Sequence, residues 1–201
     1  MATKPLLLFA FLFFFFCNTN ALKFKFKKTN IQFPSINTNT NTNTNTNALK
    51  LKKTNIQFYM HDVVGGPKPS AVRVAGRDNF TSPDPIAAMF GSIFVMDNSL
   101  TVSPNPNSTV VGRAQGIYAM ASQQNELSLL MTLTYEFITG PYNGSSFSVL
   151  GRNPVMSEVR EMPVVGGTGI FRLARGYCLA KTHSMDQMDA IIGYNVTLLH
   201  Y

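Results

Sequence analysis

The chain has 201 residues, 45% hydrophobic and 13% charged, with a formal net charge of +7. That length suits one ordinary domain with a tail and is enough to bury a core. Residues 1–58 carry eight lysines and no acid, whereas residues 59–201 carry nine Lys+Arg and all ten Asp+Glu. The later part is therefore nearly neutral, which excludes a basic domain that grips nucleic acid by charge.

The chain opens on a segment that reads as a secretion signal, residues 1–21. Lys4 precedes the apolar run Leu6–Phe16, and Thr19-Asn20-Ala21 offers small residues for cleavage after Ala21. Eleven apolar residues fall short of the ~20 that span a bilayer as a helix, so no membrane span is expected and the mature protein should be secreted. Residues 22–53 form a low-complexity tail. KKTNIQF at 27–33 recurs at 52–58, and the Asn/Thr tract at 37–47 has nothing to bury, so about residues 22–50 are expected to be disordered. The basic run KFKFKK (23–28) reads as part of a solvated tail rather than as an anion site. The second repeat copy continues into the apolar alternation of TNIQFYMHDVV and is expected to be the first true strand.

From there to the C-terminus, residues 54–201, runs of β-branched and aromatic residues recur between Gly, Pro and Asn breaks. They predict strands over Ile56–Val64, Ala71–Ala75, Phe90–Asp97, Val110–Ala121, Leu127–Phe137, Ser146–Arg152, Met156–Val165, Ile170–Lys181 and Ile191–Leu199. In one of them Leu129, Met131, Leu133, Tyr135 and Phe137 share a face, opposite Ser128, Thr132, Thr134 and Glu136. Pro141-Tyr142-Asn143-Gly144 predicts a tight turn to the next strand. Only Pro85–Phe90 reads as a turn of helix. The fold class is all-β, an antiparallel sheet that closes or stacks, and the pattern alone does not separate barrel from sandwich.

Sequons at Asn79, Asn107, Asn143 and Asn195 behind a secretion signal predict N-glycosylation. In the last strand a glycan on Asn195 would turn Ile191 and Leu199 outward with it, apolar positions that suit a subunit interface. Cys178 is expected to be a buried core thiol. GGTG (166–169) lacks phosphate-loop spacing and reads as a turn requiring positive φ. His61, His183 and His200 are too far apart in sequence to suggest a metal site. What remains is a sparse set of polar residues within apolar strands: Asp62, Arg113, Tyr118, Arg160 and Arg172. A carboxyl in an apolar barrel has its proton affinity raised and can donate a proton near neutral pH, while Arg or Tyr orients phenolic or carbonyl oxygens. A structural Asp–Arg ion pair is the competing reading.

The stretches FYMHDVVGGP (58–67), FGSIFVMDNSLT (90–101), VVGRAQGIYAMAS (110–122), GRNPVMSEVREMPVVGGTGIFRLARGY (151–177) and YNVTLLHY (194–201) together resemble the plant dirigent family. The resemblance implies an eight-stranded antiparallel β-barrel, secreted to the apoplast, glycosylated and assembled as a homodimer or homotrimer. It implies no cofactor, a phenolic substrate or radical, and a separate laccase or peroxidase that makes the radical. Its implied activity is stereocontrol of phenoxy radical coupling, coniferyl alcohol to optically active lignans. Some relatives act instead as cofactor-free dehydratases or cyclases on flavonoids, including pterocarpan-forming members, and a non-catalytic wall-binding protein is a third reading. The family's acid falls on Asp62, its pocket tyrosine on Tyr118 and its later arginine on Arg160, with Asn153, Thr168 and Arg172 as substrate-binding candidates. Lignan-forming members carry an acid in a G-x-D-P context where this chain has Gly151-Arg152-Asn153-Pro154, and an asparagine cannot donate a proton as a carboxylic acid does.

Overall fold

The computed structural model describes residues 50–201. The secretion segment, the first KKTNIQF copy and the Asn/Thr tract lie outside the described residues. Nine strands follow one another: β1 Lys52–Asp62, β2 Ala71–Ala75, β3 Ile93–Thr101, β4 Val110–Met120, β5 Ser128–Phe137, β6 Ser146–Pro154, β7 Arg160–Thr168, β8 Arg175–Asp186 and β9 Asp189–His200. The second repeat copy is indeed the start of β1. All neighbours are antiparallel, in the order β1-β9-β8-β7-β6-β5-β4-β3, and β1 also pairs with β3. That last pairing closes the sheet. β1 takes the Ser99–Thr101 end of β3 and β2 takes the Ile93–Met96 end, so β1 and β2 share one stave. The result is a closed eight-stave barrel, the sheet returning on itself through the β1–β3 pairing.

Alternation decides which side chains enter the barrel. Leu129, Met131, Leu133, Tyr135 and Phe137 of β5 are buried, and Leu130, Thr132, Thr134 and Glu136 are exposed. Ser128, expected among the exposed set, is buried at the strand's start. On β9, Tyr194, Val196, Leu198 and His200 point in and Asn195 points out. Cys178 is fully buried and its thiol is pushed up to about 12 by burial, as suits a core residue.

Three strands sit later than their sequence pattern suggested. β3 begins at Ile93 because Phe90 caps the short helix α1, Pro85–Met89, whose N-cap Asp84 accepts from the Ile86 N–H; Gly91 then turns the chain at φ +85°. β8 begins at Arg175 because Gly169–Phe171 form a 3-10 turn and Leu173 takes φ +63°. β7 begins at Arg160 and extends through Gly166-Gly167-Thr168, so most of GGTG is strand and only Gly169 has positive φ. Gly167 is small because a Cβ there would lie 2.6 Å from both Phe171 O and Ser146 O.

The two ends of the barrel are filled differently. Phe58, Tyr135, Phe147, Phe137 and Phe171 pack at one end, with Tyr135 and Phe147 stacked at 4.8 Å and Phe137 edge-on to Phe171 at 6.2 Å. The 3-10 turns Gly140–Tyr142 and Gly169–Phe171 plug that end through Tyr142 and Phe171, whose rings lie 5.4 Å apart. Methionines dominate the opposite end, which stays open.

Candidate functional site

The open end holds a cavity of about 220 Å³ lined by the ends of β1, β4 and β6, the starts of β5 and β7 and the β8–β9 hairpin. Asp62, Tyr118, Asn153 and Arg160 all line it. Each reaches it for the same reason: it occupies an inward position near the end of its strand. Met60, Met89, Met120, Met131, Met156, Met185 and Met188 supply much of the remaining wall, seven of the chain's ten methionines. Unbranched, polarisable thioethers make a deformable surface with affinity for aromatic rings.

Arg160 is buried and is held by neutral oxygens. Its Nε–H donates to Asn153 Oδ1 at 3.1 Å, and Nη1 donates to Thr182 Oγ1 at 2.9 Å and at longer range to Ser157 O at 3.5 Å. Burial lowers its proton affinity, yet a guanidinium remains charged. Among the described residues no carboxylate pairs with it. Asn153 therefore acts as a locator for the arginine, a role that an amide oxygen fills without a charge.

Asp62 accepts one hydrogen bond, from Asn98 Nδ2 at 3.0 Å. Burial raises its carboxyl to about 6, with Asn98 opposing and the Asp189 carboxylate adding to the rise. At neutral and mildly acid pH it can both hold and release a proton. Tyr118 stacks on Phe94 at 4.9 Å, and Tyr194, on the neighbouring wall, stacks on Phe58 at 5.3 Å. Burial raises both phenols well above the ordinary tyrosine value, so both are neutral donors.

The other candidates lie elsewhere. Thr168 and Arg172 are exposed at the closed end, at the far end of β7 from Arg160. Thr168 Oγ1 bonds Ser146 Oγ at 2.7 Å next to the Gly169–Phe171 turn, and Arg172 caps that turn. Arg113 faces out and pairs with Asp97 at 2.7 Å, holding that carboxyl below its usual range; this is the structural Asp–Arg pair, on the outer wall. A larger outer groove of about 650 Å³ around Gly193 contains none of these polar candidates. The four sequon asparagines, Asn79, Asn107, Asn143 and Asn195, are all exposed.

Sequence reading missed Asn98, Thr182 and Tyr194. Asn98 continues the inward alternation Phe94, Met96, Asn98, Leu100, a signal cut off by ending that strand at Asp97. Tyr194 lies on the inward face of β9, where an apolar run gives no sign that its hydroxyl end borders a cavity.

Known proteins share the sequence and the fold of this barrel. The family model described as Dirigent-like protein matches residues 53–199. Dirigent protein 23 of Arabidopsis thaliana is 48% identical over 154 residues, covering 75% of this chain and 80% of that protein. Pterocarpan synthase 1 of Glycine max is 51% identical over 151 residues, covering 74% and 79%. A solved pterocarpan synthase dirigent protein superposes with a TM-score of 0.70 at 46% identity, covering 77% of this chain and 88% of that one. With a family match over the whole barrel, close relatives over most of their own length and the same fold in a solved relative, the chain belongs to the dirigent family.

Proposed function

We propose that the barrel imposes stereochemistry on the coupling of phenoxy radicals derived from coniferyl-type alcohols, giving optically active lignans. The observation that carries this is the convergence of one proton-holding carboxyl, one buried guanidinium and two neutral phenols on a methionine-walled cavity. A volume of about 220 Å³ lies below the roughly 300–1,000 Å³ of sites for drug-sized ligands, so it suits one phenolic unit at a time. One radical is held with a single face presented at the mouth, and the second adds to that face.

Coupling forms one C–C bond from two unpaired electrons, so the protein supplies no redox equivalent; an external laccase or peroxidase makes the radicals. Asp62 then protonates the oxygen of the resulting quinone methide. A side-chain hydroxyl adds to the benzylic carbon, and its proton restores Asp62. Arg160, Tyr118 and Tyr194 hold the phenolic and carbonyl oxygens. Orientation alone is enough, since a preference of about 2–3 kcal/mol between faces gives a strong enantiomeric bias.

The test adds the protein to laccase and coniferyl alcohol and reads product chirality. An enantiomeric excess that collapses in Asp62→Asn is expected, and racemic product at saturating protein overturns the reading. Relatives named pterocarpan synthase give the experiment its second arm: turnover of an isoflavanol without oxidase, lost by about 10²–10⁴-fold in Asp62→Asn, would assign general-acid dehydration instead. Secretion to the apoplast with N-glycans is part of the proposal, supported by the four exposed sequons, as is assembly into a homodimer or homotrimer.

A further inference from the structure

Asp62 is the one acid that lines the cavity, and one amide holds it. Asn98 is fully buried on β3. Its Nδ2 donates to Asp62 Oδ1 at 3.0 Å, and its own Oδ1 accepts from Ser70 Oγ at 2.6 Å. Ser70 Oγ in turn accepts from the Val63 N–H at 3.1 Å, and its proton has the close acceptor Asn98 Oδ1 rather than the more distant His61 O at 3.5 Å. The shorter contacts favour one orientation of the amide: oxygen to Ser70, nitrogen to Asp62. Ser70 is itself fixed, because its N–H donates to Val63 O at 2.7 Å and its carbonyl accepts from Asp97 N–H at 2.8 Å. The link between the two half-staves β1 and β2 is thus wired to the acid's only side-chain hydrogen-bond partner among the described residues.

We infer that Asn98 is a positioning residue for Asp62: it occupies Oδ1 and so assigns the transferable proton to Oδ2, while Ser70 keeps the amide from turning over. The inference rests on the reading of Asp62 as proton donor. The other titratable or charged groups around Asp62 are Asp186 and Asp189 at the β8–β9 hairpin, His61 beside it on β1, Tyr118, Tyr194 and Arg160. None of them hydrogen-bonds it among the described residues. Asp189 Oδ1 is taken by the Val64 and Gly65 N–H groups at 2.7 and 2.9 Å, and His61 Nε2 bonds Thr101 Oγ1 at 2.7 Å. The donor that favours ionised Asp62 is Asn98 alone.

The test follows the Asp62 carboxyl of the full chain by carbon NMR through a pH titration. In Asn98→Leu its midpoint should move up by about one pH unit, the effect of one hydrogen bond to a charged group. Ser70→Ala, at a partly exposed site, should give a smaller upward move, and it decides the matter if Asn98→Leu does not fold. A midpoint that is unmoved or lowered in the folded variant overturns the inference. Since this readout needs no substrate, it separates from the coupling assay: racemic coupling with a shifted titration would remove the proposed function and leave the Asn98–Asp62 linkage standing.

Discussion

A carboxyl that must hold a proton near neutrality is expensive to fold around. Asp62 is raised from the ordinary aspartate value of 3.8 to about 6 in the folded barrel. Between those values the unfolded chain has released the proton and the folded chain has kept it, so the contribution of Asp62 to stability is most favourable below pH 4 and declines as pH rises towards 6. Two pH units correspond to about 3 kcal/mol at pH 7. Asp62→Asn keeps an oxygen for Asn98 and removes that cost. It should therefore melt about 5–10 °C above the parent at pH 7 and near it at pH 4, as read by calorimetry at the two pH values. Equal melting temperatures at both would show that the carboxyl is not strained by burial. Arg160 is the complementary case, a cation with only neutral oxygens around it, so the cavity keeps positive charge for a phenolate-like oxygen rather than neutralising it internally. The candidate residues that line the cavity, Asp62, Tyr118, Asn153 and Arg160, share one trait: each is polar at an inward position near the open end. Thr168 and Arg172 belong to a glycine-rich motif whose job is local backbone geometry, and nothing in their spacing reveals which end of the barrel they occupy.

At the level of strands, the alternation of apolar residues was legible and the strand ends were not. β5 and β4 fell within a residue or two of the pattern because both faces are distinct along their length. β3, β7 and β8 shifted because short turns with their own apolar residues, Phe90, Met156 and Phe171, continue the hydrophobic run without continuing the strand. That shift had a functional consequence, since it hid Asn98. The motif GRAQG, Gly112–Gly116 on β4, acts through its backbone. A Cβ on Gly112 would lie 2.2 Å from Glu136 O, and one on Gly116, at φ +147°, would lie 2.2 Å from Thr132 O. These glycines let β4 lie close against β5, and the alternation of β4 turns Tyr118 inward with Ala114 and Met120. Gly116→Ala must move strand backbone and should cost about 2–3 kcal/mol. Gly91→Ala, where positive φ is the only obstacle and no atom lies within 4 Å, should cost about 1 kcal/mol. Denaturant unfolding of the pair distinguishes them, and equal losses would mean that β4 is free to relax.

For the whole molecule, the barrel separates stability from function along its axis. Stacked aromatics close one end, while a methionine-lined cavity occupies the other. Its outer surface is not uniformly polar either. Val72, Val95, Ile117, Thr132 and Leu150 are consecutive register partners across β2, β3, β4, β5 and β6, and the four apolar members are each 42–47% exposed. Such a row, straight across adjacent staves, is the kind of contiguous apolar surface that marks an interface. None of the four sequon asparagines lies on it, so a second copy could cover it with glycans in place. Asn195 does face outward as the alternation required, and Leu199 beside it is 38% exposed, but the longer row is the better seat for the proposed homo-oligomer. Light scattering on the deglycosylated protein should give a dimer or trimer mass. Ile117→Glu, in the middle of the row and away from the cavity, should give a monomer with an unchanged melting profile at low concentration. Leu199→Glu, on β9, should leave the assembly intact. A wild-type monomer at tens of micromolar removes the proposed assembly, and an oligomer broken by Leu199→Glu but not by Ile117→Glu would move the interface to the face beside Asn195.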